Sequence, residues 1–92
     1  MIINMGGMPL HTEIYHFLYS QDIVNSWAAF AKVCCRSRTY FSMLSRTGSN
    51  PSAEVWGNMV SFLDSCLATC NDVNTRRWLS IARNRAQAVL TC

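Results

Sequence analysis

Five cysteines are the residues of this chain with the clearest capacity to bind a metal ion. Cys66 and Cys70 have an i, i+4 spacing, which would place two ligands on one face of a helix. A structural zinc site needs a second pair of ligands, but Cys34 and Cys35 would point about 100° apart on a helix. We therefore expect no metal site. Cys34 and Cys66 are expected to pack in the core as small apolar side chains.

The remaining reactive groups are too scattered to predict a catalytic site. Cys35 precedes Arg36, whose charge would favour a thiolate, but no histidine near it in the sequence could act as its base. His11 and His16 are five residues apart, so they would lie on different faces of a helix. The sequence contains neither a glycine-rich phosphate loop nor the serine motif of hydrolases. We predict that the chain is not an enzyme and needs no cofactor.

Charged residues are few, at 14% of the 92 residues against about 25% in an average soluble domain. Four of the five carboxylates, Glu13, Asp22, Glu54 and Asp72, fall near the predicted start of a helix, where a negative charge complements the helix dipole. Only Asp64 has no evident structural role. The net charge of +3 is compatible with a nucleic-acid partner but does not require one.

Apolar residues make up half of the chain and include three Trp, three Tyr and four Phe. A domain of this size cannot bury all of them, and large exposed apolar patches usually mark sites of association. We therefore expect a protein partner and a homodimer. The sequence has no signal-peptide pattern, no apolar run long enough to cross a membrane, and no disulfide framework. These features predict a cytoplasmic protein with no membrane contact.

The spacing of the apolar residues predicts an all-α domain, a small bundle of three to four helices. Gly6 and Gly7 ahead of Pro9 indicate that residues 1–9 form a flexible N-terminal arm. Residues 10–92 would then form a single helical domain. We predict helices over four approximate ranges: 10–20, 22–46, 52–69 and 73–90.

The second predicted helix is long and amphipathic, and it is the strongest pattern in the sequence. One narrow stripe carries its apolar residues: Ile23, Trp27, Phe30, Cys34, Phe41 and Leu44. Helix propensity is weakest at residues 36–39, where the helix would break most easily. An unbroken helix of this length would span about 36 Å and extend beyond a small core. Its exposed part would offer a surface to a second chain.

Five large side chains are candidates for a protein interface: Tyr15, Tyr19, Arg38, Trp56 and Arg85. Tyr15 and Tyr19 are predicted on the solvent face of the first helix, either with only their hydroxyls in water or as part of an interface. Arg85 projects from the apolar side of the last helix. There it would either extend to water along the apolar surface or form an ion pair across an interface.

These features predict a small protein-interaction module that binds another protein, such as a transcriptional regulator, through an apolar helical face. It would modulate that protein, as an inhibitor or antiactivator does. One alternative is a helix-turn-helix DNA-binding regulator that uses residues 73–90. Its exposed face would consist of polar residues that can contact bases and phosphates: Arg76, Arg77, Arg83, Asn84 and Gln87. A second alternative is a small structural subunit of a larger complex.

Overall fold

A computed structural model of the chain describes residues 9–91, so residues 1–8 of the predicted arm lie outside the described range. The described chain forms five helices: α1 (Leu10–Ser20), α2 (Trp27–Val33), α3 (Tyr40–Thr47), α4 (Ala53–Thr69) and α5 (Val73–Thr91). It contains no strand, which confirms the all-α class. The predicted number of three to four helices is wrong. None of these five helices combines the length and apolarity needed to cross a membrane.

Helices α4 and α5 form an antiparallel hairpin that makes the most extensive helix–helix contact in the described chain. Their connection is short, which forces neighbouring helices to run in opposite directions. The buried face of α5 includes Ala82 and Ala86, whose small side chains allow the two helices to approach closely. On α4, Val55, Met59 and Leu63 are fully buried in the same core. The hairpin provides the framework against which the shorter helices pack.

Helix α1 lies in the interior of the domain, with Ile14, Phe17 and Leu18, whose spacing places them on one face of the helix, almost fully buried. The prediction that Tyr15 lies on the solvent face is wrong, because only 6% of this residue is exposed. The indole ring of Trp27 stacks on the Tyr15 ring with 3.8 Å between ring centroids. Helix α2 therefore covers the side of α1 that the sequence pattern had assigned to solvent.

The end of α1 and the start of α2 both differ from the sequence prediction. Asp22, expected to start a long helix, instead follows α1 in a left-handed conformation with a φ of 60°. The backbone N–H of Ile23 donates to the carbonyl of Leu18 at 2.9 Å, which is the hydrogen bond that closes a Schellman motif. Helix α2 begins only after Ser26, whose hydroxyl oxygen accepts a hydrogen bond from the Ala29 N–H at 3.1 Å.

The long amphipathic helix predicted over residues 22–46 is replaced by α2 and α3. Helix α2 ends in the same way as α1, because Cys35 has a φ of 61° and the Arg36 N–H donates to the Ala31 carbonyl at 2.9 Å. The break lies at the weak point that propensity indicated. Helix α3 also ends with a left-handed residue, Gly48, with a φ of 67°. A glycine is the usual residue at such a position, whereas a cysteine is not.

Replacement of Cys35 by glycine is expected to raise the free energy of unfolding by about 0.5–1 kcal/mol, because glycine adopts positive φ without steric strain. Urea denaturation followed by circular dichroism measures the change. The Cys35→Ala variant is the control, since it removes the thiol and keeps the strain. A Cys35→Gly variant no more stable than Cys35→Ala would contradict the strained ending of α2.

Candidate binding cleft

Two adjoining clefts flank the first turn of α1 and share two lining residues, His11 and Asn50. The first cleft has a volume of about 470 Å³ and lies between α1, α3 and the start of α2. The second has a volume of about 530 Å³ and lies between α1, the start of α4 and the end of α5. Both volumes fall within the range of roughly 300–1,000 Å³ that is typical of ligand pockets.

The first cleft combines an aromatic lining with a polar rim. The rings of His11, Trp27 and Phe41 supply its aromatic surface. The rim is formed by hydroxyl side chains: Thr12, Ser42, Ser45 and Ser49. An apolar group that enters such a cleft loses its hydration against the rings, while polar atoms next to it can form hydrogen bonds with the rim.

The second cleft is more apolar and brings together residues from distant parts of the chain. Leu10 and Trp56 line it together with Val89 and Leu90 from the last turns of α5. Val89 and Leu90 continue the apolar spacing of α5, which favours burial in the core, but 41% and 36% of these residues are exposed because the end of α5 borders an open cleft.

The connection between α3 and α4 forms a wall of both clefts. Gly48 ends α3, and the Ser49 N–H donates to the Leu44 carbonyl at 3.0 Å. Helix α4 begins after Ser52, whose hydroxyl oxygen accepts a hydrogen bond from the Val55 N–H. The Ser52 N–H also donates to the Tyr40 hydroxyl at 3.4 Å, which joins the connection to α3.

His11 forms the partition between the two clefts and is 7% exposed. Its imidazole stacks on Phe41 at 5.6 Å between ring centroids and meets the edge of Trp56 at 6.5 Å. Burial lowers the pKa of His11 below its usual value, so the ring is neutral at pH 7. Among the described residues that line the clefts, His11 is the only ionisable one. It can donate one hydrogen bond and accept another.

An aromatic cluster beneath the first cleft holds its rings in place. Phe30 is fully buried and stacks on Phe41 at 4.9 Å, and Trp27 contacts the same Phe41 ring at 5.4 Å. Trp27 also stacks on Tyr15. Because each ring is fixed by at least one other ring, the aromatic surface of the cleft is preorganised for a ligand.

An ion pair between Glu13 on α1 and Arg85 on α5 connects these two helices. An Arg85 nitrogen lies 3.2 Å from Glu13 Oε2, and the second guanidinium nitrogen lies 3.5 Å from Oε1. The Glu13 side chain is 6% exposed, whereas the Arg85 side chain is 42% exposed. The sequence suggested that Arg85 extends to water or crosses an interface, but the structure gives it a partner within the chain.

Three further carboxylates also have partners within the chain. Asp64, for which the sequence indicated no role, pairs with Arg83 at 3.0 Å. Glu54 lies 3.4 Å from Arg36. Asp72 accepts hydrogen bonds from the hydroxyl and the backbone N–H of Thr75, and these bonds lower the pKa of its carboxyl. Most of the negative charge of the described residues is therefore engaged internally.

The five residues of the alternative nucleic-acid face do not form one free surface. Arg76 donates hydrogen bonds to the carbonyls of Leu67 and Cys70 at the end of α4, and Arg83 pairs with Asp64. These two arginines lie on the flank of α5 that faces α4. The other three residues of this face differ in exposure, because Arg77 and Asn84 are exposed and Gln87 is half-buried.

The cysteines differ in burial. Cys34 is fully buried, as predicted, and burial raises the pKa of its thiol to about 12. Cys66 is half-buried against the core, and burial raises the pKa of its thiol as well. Cys35 is exposed. The described part of the chain contains no group of three or more His, Cys, Asp or Glu side chains that could hold a metal ion.

The clefts involve few of the predicted interface residues. Trp56 is almost fully buried and lines the second cleft. Tyr19 and Arg38 are exposed but line neither cleft. Sequence reasoning missed His11 and Ser45 as site residues, because neither has a neighbour in the sequence that marks it as part of a site.

In comparisons with known proteins, no protein-family model, no curated protein and no solved structure matches this chain. Its function is therefore inferred from the clefts and from the partners of its charged residues.

Proposed function

We propose that the chain is a small protein-interaction module that binds another protein, such as a transcriptional regulator, and inhibits it. The two adjoining clefts are the observation that supports this proposal. They form a concave surface on a helical domain, lined by aromatic and aliphatic side chains, with His11 shared by both clefts and hydroxyl groups along one edge. A partner helix can bind such a surface by inserting apolar side chains spaced along one of its faces.

The chain would inhibit its target by occupying part of the target's surface. A domain that covers part of a target excludes every other molecule that uses the same surface, and this effect needs no chemical step. The preorganised rings of Trp27 and Phe41 would lower the conformational cost of binding. The described cysteines are free thiols, which is compatible with the cytoplasm as the proposed location.

A homodimer remains part of the proposal, because apolar residues are also exposed away from the clefts. Tyr19 is 54% exposed, and Ile81 lies on the outer side of α5. Aromatic and aliphatic side chains of this kind are typical of contacts between copies of a chain.

We favour a protein partner over the DNA-binding alternative. A recognition helix needs free arginines to contact phosphates and base edges. On the proposed nucleic-acid face of α5, Arg76 donates a hydrogen bond to the Cys70 carbonyl and Arg83 pairs with the Asp64 carboxylate. Arg77 is the remaining arginine of this face.

Affinity capture from a native lysate tests the proposal, with and without nuclease. The decisive variant is Ser45→Trp, which places a large ring at the rim of the first cleft. The matched control is Ser80→Trp, which adds the same ring at an exposed position on α5. We expect one partner protein to be captured in near-equal amount by the wild type and Ser80→Trp, and to be lost from Ser45→Trp.

Two results would overturn the proposal. Capture that disappears after nuclease treatment would favour the DNA-binding alternative. A partner that binds Ser45→Trp and Ser80→Trp equally well would show that the first cleft is not the binding surface. Circular dichroism of both variants confirms that each retains its helices.

A further inference from the structure

The imidazole of His11 is nearly enclosed, yet no described residue forms a hydrogen bond with it. Its ring packs against the rings of Phe41 and Trp56, which offer no polar atom in those contacts. Every fully enclosed side-chain nitrogen or oxygen of the described chain has a partner, so the imidazole nitrogens are not sealed from the clefts that His11 lines. Because buried polar groups in proteins are nearly always hydrogen-bonded, this imidazole points to a ligand group in the cleft.

Three hydroxyl groups at the rim of the first cleft are also available. Thr12, Ser42 and Ser45 line the cleft, and none of their hydroxyls hydrogen-bonds with another described residue. The Ser49 hydroxyl differs, because it accepts a hydrogen bond from Thr47 at 2.9 Å. Hydroxyl groups and a neutral imidazole can each donate and accept a hydrogen bond. The polar part of this lining therefore suits a neutral ligand group that has both a donor and an acceptor, as an amide does.

The rest of the lining favours a ligand without charge. No Asp, Glu, Lys or Arg is among the described residues that line the first cleft, and burial lowers the pKa of His11 so that its ring is neutral at pH 7. A charged group that left water for this lining would lose hydration without meeting an opposite charge. Trp27 and Phe41 instead offer ring surface on which another aromatic ring can pack.

We infer that the first cleft binds a neutral, planar aromatic compound that carries an amide-like group. Its ring system packs against Trp27 and Phe41, and its amide-like group hydrogen-bonds with the His11 imidazole and with the hydroxyls of the rim. The cleft volume of about 470 Å³ is sufficient for a small molecule of this kind. The inference goes beyond the proposed function and does not depend on it, because it concerns the chain without a protein partner.

The same lining disfavours two other classes of ligand. A phosphate or carboxylate group would find no cation among the described residues that line the cleft. A zinc ion would find a single histidine there, whereas zinc sites in proteins use at least three side chains. The chemistry of the lining therefore favours a ligand held by ring contacts and neutral hydrogen bonds.

An NMR titration at pH 7 with three compounds that share an indole ring tests the inference. Indole-3-acetamide is neutral and carries the amide, whereas indole-3-acetate is an anion and tryptamine is a cation. We expect indole-3-acetamide to bind with a Kd of about 1 mM or tighter. It should shift the imidazole nitrogen signals of His11 and leave those of the exposed His16 unchanged. The two charged compounds are expected to bind at least about fivefold more weakly.

Two phenylalanine variants test the contact with the imidazole. His11→Phe keeps a ring of similar shape and removes both nitrogens, so we expect indole-3-acetamide to bind about fivefold more weakly through the loss of a hydrogen bond. His16→Phe is the matched control on the same helix and is expected to change the affinity less than about twofold. Circular dichroism shows whether each variant retains its helices.

A second pair of variants tests the cleft while His11 stays in place. Ser45→Trp narrows the cleft from its rim, and Ser80→Trp adds the same ring at an exposed position on α5. We expect saturable binding of indole-3-acetamide to be lost in Ser45→Trp and to remain in Ser80→Trp.

Several outcomes would overturn the inference. The absence of saturable binding of indole-3-acetamide up to about 10 mM would refute the ligand site. Equal affinities for the three indole compounds would refute the neutral class, and equal affinities of His11→Phe and His16→Phe would refute the contact with the imidazole. A protein partner captured through the first cleft, without any binding of indole-3-acetamide, would leave the proposed function intact and refute this inference alone.

Discussion

The Phe30→Ala variant is expected to lose about 3–5 kcal/mol of unfolding free energy, because it removes a ring from the centre of the core. Phe30 is fully buried, and its ring contacts Phe41, Trp27 and Tyr15 with centroid distances of 4.9, 5.9 and 5.7 Å. Truncation removes apolar burial and leaves a cavity that surrounding helices cannot fill without moving. Urea denaturation gives the change in free energy.

Because a domain of this size is stable by only about 5–15 kcal/mol, Phe30→Ala could be substantially unfolded. Phe30→Leu keeps more of the buried volume and is expected to fall between wild type and Phe30→Ala. The control is Met43→Ala at an exposed position, for which we expect a change within about 0.5 kcal/mol. A loss below about 1 kcal/mol for Phe30→Ala would contradict the central place of this ring in the core.

Replacement of Arg85 by methionine is expected to lower the free energy of unfolding by about 2–3 kcal/mol at pH 7. The substitution keeps the apolar stem of the side chain and leaves the Glu13 carboxylate buried without a cation. Breaking a fully buried ion pair costs about 3–5 kcal/mol, and the partial exposure of Arg85 reduces that figure. Chemical denaturation again provides the measurement.

A double-mutant cycle separates the loss of the pair from the loss of packing. The Glu13→Gln substitution removes the stranded charge, so the double variant Glu13→Gln with Arg85→Met is expected to be more stable than Arg85→Met alone. The matched control is Arg83→Met, which breaks the more exposed pair with Asp64 and should cost less than about 1 kcal/mol. Equal losses in Arg83→Met and Arg85→Met would contradict a special role for the buried carboxylate.

The helices that could be predicted from the sequence are those with local signals at both ends. The first predicted helix and the last two agree with α1, α4 and α5 to within a residue or two at most ends. Their apolar residues repeat with the helical period, and loops separate α4 from its two neighbours. The prediction of one long helix over residues 22–46 failed because Asp22 and Cys35 adopt left-handed conformations, which are usually found at glycine.

The apolar stripe over the same residues was nevertheless informative. Trp27, Phe30 and Phe41 meet in one aromatic cluster, although they lie on two helices instead of one. The helical period continued across the break because α2 and α3 face the same core. A pattern of this kind indicates which residues meet, but it does not determine whether the backbone between them is continuous.

The two clefts could not be predicted because the residues that line them are distant in the sequence and are brought together only by the tertiary fold. His11 and Leu90 both line the second cleft but lie at opposite ends of the described chain. Neither residue belongs to a motif, and Leu90 fits the apolar period of α5 equally well as a core residue. The partners of Arg85 and Asp64 were hidden for the same reason, since each lies on a different helix.

The pair between Glu13 and Arg85 has a consequence for the way the chain is made. Its two members are separated by 72 residues, so a long stretch of chain is synthesised after the glutamate before the arginine exists. A nascent chain that stops before residue 85 has no cation to accompany this glutamate into the interior. Helix α1 can therefore take its final place only after residue 85 has been made, and products that stop before this residue would be left open to proteases.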